Sequence, residues 1–199
     1  MTGVGSTNFE IGKNIAYPKT QQKQLIDYAA AYPAIQFAMR FLYYTTCRSS
    51  ELARIQVKDI FAKHPDKLYM PAEKTKVNRE RHPMLHPKLK EYITANKILK
   101  LDPEMYLFGL HFKPNVKQWY AGDVGKYYRR MILKPLHYNT LYTFSSWKHT
   151  GVVTMHKNGV PDFKIMQQGG WSTYKAFQVY LKSLGLEENI EVVTLIDEF

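Results

Sequence analysis

The chain has 199 residues, enough for one domain with a substantial core, and its hydrophobic content of 45% and aromatic content of 14% argue against disorder. Its single cysteine, Cys47, excludes a disulfide framework and a cysteine-based zinc site. No apolar run reaches the roughly 18 residues of a membrane span, and the first residues lack the apolar core of a signal peptide. We expect a soluble protein of a reducing, intracellular compartment.

Basic residues dominate the body of the chain. Lys and Arg number 28 against 17 Asp and Glu, and five of these acids lie in the C-terminal segment EENIEVVTLIDEF. Residues 1–186 therefore hold 28 bases and 12 acids, a net charge of +16. Aromatic residues interleaved with bases, as in KQWY and KYYRR, are typical of proteins that bind a phosphate backbone. The composition favours a nucleic-acid partner over an ordinary basic protein with solvated lysines.

The predicted elements, taken in chain order, are mostly helical. Apolar residues repeat at helical spacing over residues 21–31 and 33–46. Short β-like runs follow over residues 57–85, separated by HPD and KVN turns, and predict a three-stranded antiparallel meander with a basic second turn. Five more helices are predicted over residues 87–99, 116–132, 146–157, 161–168 and 172–184, the last ending at Gly185. The predicted fold class is α+β, mostly α-helical with a small three-stranded antiparallel sheet.

Three segments occur in an order that resembles the catalytic domain of the tyrosine recombinases, the phage-type integrases. YYTTCRSSELARIQVKDI (43–60) is similar to their first box, with a Thr-rich turn, an Arg and a Glu three residues later. EKTKVNRERHPM (73–84) is similar to their basic hairpin. The segment 143–183 is similar to their second box, through Lys-His-Thr, Gly-Gly-Trp and a tyrosine nine residues after that Trp. The resemblance covers about residues 20–185 and implies the same fold.

The resemblance implies a DNA strand transferase that works without metal or cofactor. Such chemistry needs a nucleophile, cations that stabilise a pentacoordinate phosphorane, and a proton donor for the departing 5′ oxygen. It implies Tyr180 as the nucleophile that joins to the 3′ phosphate, Arg48 as the clamp on a nonbridging oxygen, and Lys74 as the general acid. Lys76 is an alternative general acid. Ordinary structural roles remain open, as a core tyrosine for Tyr180 and as a helix-start arginine paired with Glu51 for Arg48.

The second box departs from the usual pattern, which is His-x-x-Arg followed by His-Thr. Lys148 stands at the arginine and keeps the positive charge without the bidentate fork, and Ser145 stands at the first histidine, where it can donate a hydrogen bond but cannot shuttle a proton at neutral pH. We expect His149 to orient the helix rather than act as a base. Trp171 occupies a position where an indole N–H can bind the phosphate, or where the ring packs at a turn.

We expect three parts of the chain: a leader or linker remnant (1–19), a catalytic domain (20–185), and a tail (186–199) that docks in cis or in trans. The implied partner is double-stranded DNA, with a homo-tetramer on DNA and a monomer when free, in the cytoplasm of a bacterial cell or a phage-infected host. Because the catalytic pattern begins near residue 20, the chain resembles an isolated catalytic domain. The alternatives are a non-catalytic DNA-binding relative and a type IB topoisomerase.

Overall fold

A computed structural model describes residues 15–186 of the chain. None of the helices in this range is both long and apolar enough to cross a membrane. Short 3-10 turns connect several of them, and one helix continues into a π-helical turn over Arg129–Leu133. The helices of the described range are α1 (Lys19–Tyr28), α2 (Pro33–Thr45), α3 (Ser49–Leu52), α4 (Pro87–Ala95), α5 (Ala121–Tyr128), α6 (Ser146–Lys157), α7 (Asp162–Gly169) and α8 (Tyr174–Ser183).

The helices predicted from apolar spacing are confirmed, with differences at their ends. Helix α4 ends at Ala95, ahead of a separate 3-10 turn over Ile98–Lys100. Helix α5 begins only at Ala121, because the preceding loop makes a different pairing in which Asn115 and Tyr106 exchange both backbone hydrogen bonds. Gly185 follows α8 with φ of +72°, in the left-handed region that glycine adopts most readily after a helix.

The predicted three-stranded sheet is wrong. Within residues 15–186 there is no β-strand, and the segment 57–85 contains only isolated bridges, which join Ile60 to Leu68, Lys67 to Met84, and Met70 to Arg81. At one of these bridges Met70 and Arg81 exchange two backbone hydrogen bonds of 3.0 Å. The pairing does not extend into ladders.

Prolines explain why these bridges stay isolated. Pro71 follows Met70 directly, and Pro83 stands between the two bridged residues of the returning segment. Proline has no backbone N–H, so a ladder cannot continue through it. After Pro71 the chain also turns into a 3-10 helix over Ala72–Lys74 instead of remaining extended. Residues 57–85, with their alternating apolar pattern, therefore form a folded loop with two 3-10 turns rather than strands.

Helices α2 and α6 form the centre of the larger core. Helix α2 is apolar around most of its circumference, as expected for a helix buried on several sides. Helix α6 approaches it so closely that a Cβ atom at Gly151 would lie 2.0 Å from the carbonyl oxygen of Tyr43. Thr150, the residue before Gly151 on α6, accepts a hydrogen bond of 2.8 Å from the backbone N–H of Tyr17, whose side chain is buried. These contacts fix α6 before its functional side chains are considered.

A second, smaller apolar cluster joins α6, α7 and α8 through Val152, Ile165, Phe177 and Leu181. Trp171 and Tyr180 are half-buried and pack against this cluster. The cluster therefore holds α8 beside the opening turns of α6. The predicted leader (1–19) and docking tail (186–199) lie outside the described residues, apart from residues 15–19 and 186.

Candidate active site

Arg48 lies between α2 and α3, at the turn predicted from the Thr-rich box. Thr46 adopts the left-handed region with φ of 52° and ends α2, and Arg48 returns to an extended conformation ahead of α3. Glu51, in the first turn of α3, accepts hydrogen bonds of 2.9 Å from both the backbone N–H and Nη1 of Arg48. About a quarter of the Arg48 side chain is exposed. The guanidinium is therefore held at one edge, and the described residues leave its other N–H groups unbonded.

Glu51 is a buried carboxylate that serves three segments at once. Besides Arg48, it accepts the backbone N–H of Lys76 at 3.1 Å and lies 3.4 Å from Nη2 of Arg81. Burial raises the pKa of Glu51, but Arg81, the two backbone N–H groups and Arg48 outweigh burial, and the net shift is downward. A carboxylate with these partners stays ionised at neutral pH and fixes the basic loop against α3.

Arg81 is a functional candidate that motif spacing did not reveal. Its side chain is buried, donates to the carbonyl oxygen of Gly169 through Nη1, and lies 3.0 Å from Sγ of Cys47 through Nη2. With Glu51, these contacts connect the first box, the basic loop and the Gly-Gly-Trp turn. The bases of the loop gave no sign of which side chain faces inward, because direction depends on pairing register rather than on residue type.

Lys148 is buried in the first turn of α6, close to Arg48. Its Nζ atom lies 4.8 Å from the ring centroid of Trp171 and 5.0 Å from that of Tyr180, over the faces of both rings. Burial and then Arg48 lower the pKa of Lys148 to about 7, with Glu51 acting in the opposite direction. The ammonium is therefore poorly compensated in the free protein, which favours binding of an anion beside it.

The Gly-Gly-Trp turn places Trp171 between Lys148 and α8. Gly170 ends α7 with φ of +75°, and a Cβ atom at Gly169 would lie 1.8 Å from Cζ3 of Trp171. Both positions thus require glycine, one for its backbone conformation and one for close packing. The Trp171 ring centroid lies 4.7 Å from that of Tyr180. In the sequence, Trp171 and Tyr180 are therefore separated by the end of the Gly-Gly-Trp turn and the first two helical turns of α8.

The Tyr180 hydroxyl points into the site and is bonded there. His149 Nδ1 lies 2.6 Å from Tyr180 Oη. Burial raises the pKa of the Tyr180 phenol, and Arg48 acts against that rise. One open pocket of about 390 Å³ is lined by Tyr180, Trp171, Arg48 and Val77, so a phosphodiester placed there would lie against both Tyr180 and Arg48.

The remaining predicted residues are placed differently. Ser145, at the start of α6, has its Oγ atom 3.2 Å from Oγ of Ser49, the neighbour of Arg48, so it lies at the edge of the site. Lys74 binds Oδ2 of Asp59 at 2.6 Å and Oε1 of Gln56 at 2.8 Å, and within residues 15–186 it makes no bond to the other predicted site residues. The structure therefore brings together Arg48, Lys148, Trp171 and Tyr180, with Ser145 beside them and Lys74 apart.

The phage integrase family model matches residues 14–185 of the chain, nearly all of the described range. A comparison with curated proteins finds no match.

Among solved structures, the chain is similar to XerA recombinase, with a TM-score of 0.66 and 16% identity over 90% of this chain and 63% of that one. It is also similar to a lambda integrase dimer bound to a COC′ core site, with a TM-score of 0.66 and 17% identity over 88% of this chain and 50% of that one. A third similar structure is the Tn1549 transposon integrase in complex with circular intermediate DNA, with a TM-score of 0.64 and 13% identity over 92% of this chain and 64% of that one.

At these identities the solved structures establish the fold, and the chain spans between half and two thirds of their lengths. The family follows from the match of the family model to nearly the whole sequence. The chain belongs to the phage integrase family.

Proposed function

We propose that the chain is the catalytic domain of a site-specific DNA recombinase that breaks and rejoins DNA through a covalent 3′-phosphotyrosine intermediate. One observation carries the proposal: Tyr180 and Arg48 line the same pocket, with the poorly compensated ammonium of Lys148 beside them. A DNA-binding relative without chemistry could also use Lys148 to bind a phosphate, but it would not need Tyr180 beside both cations.

Each side chain has a role that its position supports. Tyr180 Oη attacks phosphorus, and the bond to the 5′ oxygen of DNA breaks, which leaves the 3′ phosphate on the enzyme. Arg48 uses its unbonded N–H groups on a nonbridging oxygen, and Lys148 supplies a second positive charge to the phosphorane. Trp171 shapes the pocket and holds Lys148 over its ring. Ser145 is placed to donate a hydrogen bond to the phosphate.

The general acid is better assigned to Lys76 than to Lys74. The ammonium of Lys74 is largely buried and already held by Asp59 and Gln56. Lys76 has an exposed side chain, its backbone N–H binds Glu51, and its neighbour Val77 lines the pocket. An ammonium there can reach the departing 5′ oxygen without first breaking a buried ion pair.

Replacing that 5′ oxygen by sulfur tests the assignment, because a thiolate leaves without a proton. With ordinary DNA, Lys76→Ala should slow cleavage by ~100-fold or more, and with the sulfur-containing DNA it should cleave near the wild-type rate. Lys74→Ala should show no such difference between the two substrates. The reverse pattern would return the role to Lys74.

We infer that the substrate is duplex DNA and that the protein acts in the cytoplasm of a bacterial cell or a phage-infected host. The net charge of +16 over residues 1–186 supports a phosphate-backbone partner, and two of the similar solved structures are complexes with DNA or a core site. The proposed working assembly is a homo-tetramer on DNA formed from free monomers.

A covalent-trapping experiment tests the function and identifies the DNA site at the same time. The chain is incubated with a pool of nicked duplexes of randomised sequence, in which cleavage next to the nick releases a short strand and prevents rejoining. We expect a protein–DNA adduct that survives denaturation, and the captured strands can then be sequenced. Tyr180→Phe should abolish the adduct while DNA binding stays within about twofold, because only the phenolic oxygen is lost.

Tyr174 offers a matched control on the same helix. It is exposed, and its hydroxyl donates a hydrogen bond of 3.2 Å to Asp162, away from the pocket, so Tyr174→Phe should form the adduct at the wild-type rate. An adduct that persists in Tyr180→Phe, or that maps to another tyrosine, would contradict the assignment of the nucleophile.

A further inference from the structure

We propose that His149 is a catalytic residue that takes the phenolic proton of Tyr180 during attack on the phosphate. The proposal rests on the recombinase function proposed above and adds the group that activates its nucleophile. The observation that carries it is the short contact, 2.6 Å, between Nδ1 of His149 and Oη of Tyr180. Both groups lie at the interface of α6 and α8, so the contact is set by the packing of two helices and not by a mobile loop.

The surroundings of the imidazole keep it neutral, as a proton acceptor must be. Burial and then the neighbouring Lys148 lower the pKa of His149 to about 3, so the ring is neutral at physiological pH. A neutral ring has one N–H and one acceptor nitrogen, and the proposal places the ring proton on Nε2, so that Nδ1 accepts the hydrogen bond from Oη–H of Tyr180. In this tautomer His149 is placed as the proton acceptor.

The other groups near the phenol cannot take this role. The Oγ atom of Ser145 contacts Ser49 rather than Tyr180, and a hydroxyl is a poor proton acceptor at neutral pH. Nζ of Lys148 lies over the face of the tyrosine ring, 5.0 Å from its centroid, and is not hydrogen-bonded to Oη; a phosphate bound beside Lys148 also stabilises its charged form, which has no lone pair. The guanidinium of Arg48 is a hydrogen-bond donor with no acceptor atom. Among the described residues, His149 is the basic group bonded to the nucleophilic oxygen.

Each bond broken in the proposed step is matched by one that forms. The Oη–H bond of Tyr180 breaks as the Oη–P bond forms, and the proton moves to Nδ1 of His149. The bond between phosphorus and the 5′ oxygen breaks, and that oxygen receives a proton from the general acid. Rejoining runs in reverse: the 5′ hydroxyl attacks phosphorus, the P–Oη bond breaks, and Nδ1 returns its proton to the phenolic oxygen.

DNA binding removes the main obstacle to this transfer. In the free protein, burial and Lys148 oppose a positive charge on His149. A phosphate in the pocket adds a negative charge beside Lys148 and Arg48, and that charge grows as the phosphorane forms. The imidazole thus becomes a stronger base at the moment of attack, whereas without DNA it remains neutral and the phenol keeps its proton.

The decisive variant is His149→Asn, because the asparagine oxygen replaces Nδ1 as a hydrogen-bond acceptor but cannot take a proton. With the nicked duplex captured by the wild-type chain, we expect the single-turnover rate of adduct formation to fall ~100-fold or more. The loss should persist with the 5′-sulfur substrate, since attack and not departure is impaired. His156→Asn, a change of the same kind two turns further along α6, should cleave at the wild-type rate.

Chemical rescue gives an independent readout. In His149→Ala, added imidazole should restore adduct formation, and pyrazole, a ring of the same size and much weaker basicity, should not. If His149→Ala does not fold, as judged by circular dichroism, the asparagine variant decides alone. Adduct formation by His149→Asn at the wild-type rate, or a folded His149→Ala that imidazole does not rescue, would overturn the proposal.

These outcomes separate the inference from the function on which it rests. A wrong inference leaves adduct formation by the wild-type chain intact and removes only its dependence on His149. A wrong function gives no adduct with the wild-type chain and any duplex in the pool, and the proposed role of His149 then fails with it. Nitrogen NMR of the DNA-free protein adds a further measurement: His149 should carry its proton on Nε2, and a proton on Nδ1 would also overturn the proposal.

Discussion

Nζ of Lys148 lies over the ring of Trp171, 4.8 Å from its centroid, near the beginning of helix α6. Three features act against a positive charge at this point: burial, the neighbouring guanidinium of Arg48, and the partial positive charge at a helix N-terminus. An anion that enters the pocket relieves all three. The position of Lys148 is therefore costly in the free protein and favourable in a complex with a phosphodiester.

The first prediction concerns the charge of Lys148 in catalysis. Lys148→Ala should lose about 2–4 kcal/mol of transition-state stabilisation, by analogy with the removal of one preorganised donor, whereas Lys148→Arg should keep or raise the rate. Single-turnover adduct formation on the captured nicked duplex measures both. If Lys148→Ala cleaves like the wild type, the ammonium has no role in the chemistry.

The second prediction concerns the free energy of unfolding. The pKa of Lys148 is about 7 in the folded chain, below its ordinary value of 10.5, so between these pH values the unfolded chain binds more protons. The penalty for burying Lys148 is complete below about pH 7 and disappears as the pH rises toward 10.5. Lys148→Met should therefore stabilise the fold by on the order of a few kcal/mol at pH 6.5 and much less at pH 10.

Urea denaturation at the two pH values measures this difference. Lys126 provides the control, because its side chain is 78% exposed and Lys126→Met should change the free energy of unfolding little at either pH. An equal effect of Lys148→Met at both pH values would show that the ammonium is not strained in the folded chain.

Much of the fold could be predicted from the sequence, because the apolar residues of a helix recur at a regular spacing that can be read directly from the sequence. Helix α6 was predicted with the bounds that the structure gives it. The sheet was predicted wrongly because short alternating runs look alike whether or not neighbouring N–H groups are available for a ladder. Pro71 and Pro83 are the residues in the sequence that argue against a ladder, because proline has no backbone N–H to donate.

The residues of the candidate site also divide into those that could be predicted from the sequence and those that could not. Arg48, Lys148, Trp171 and Tyr180 could be identified from motif spacing and are assembled around one pocket or in contact with it. Arg81 could not be identified, because its role depends on facing inward toward Glu51. His149 and Tyr180 are 31 positions apart in the sequence. Their hydrogen bond depends on how α6 packs against α8, and no local sequence pattern predicts that packing.

The third prediction compares two helical glycines. A Cβ atom at Gly151 would lie 2.0 Å from the backbone of Tyr43, so Gly151→Ala must separate α2 from α6. We expect it to lower the free energy of unfolding by about 2–3 kcal/mol or more and to slow cleavage, since α6 carries Lys148 and His149. Gly125 on α5 has open space around it, so Gly125→Ala should stabilise the fold by up to about 1 kcal/mol. Thermal or urea denaturation of both variants measures the contrast, and effects of the same sign would contradict the close packing of α2 on α6.

The last prediction concerns Glu51, the buried anion between Arg48 and Arg81. Glu51→Gln leaves the guanidinium of Arg81 buried beside a neutral group, so we expect the free energy of unfolding to fall by about 3–5 kcal/mol at neutral pH. Because the pKa of Glu51 is lowered on folding, its contribution is complete above the ordinary value of 4.5 and is lost as the pH falls below it. The difference between wild type and variant should therefore shrink in acid.

Glu104 is the matched control for this measurement. Its carboxylate pairs with Lys58 at 2.6 Å, but both side chains are largely exposed, so Glu104→Gln should cost no more than about 1 kcal/mol. Glu51→Gln should also slow adduct formation beyond its effect on folding, since Arg48 loses the acceptor that holds its guanidinium at the pocket. Denaturation curves of the two variants, with cleavage rates measured well below the melting temperature, test both parts. If Glu51→Gln behaves like Glu104→Gln in stability and like the wild type in cleavage, Glu51 neither anchors Arg81 nor positions Arg48.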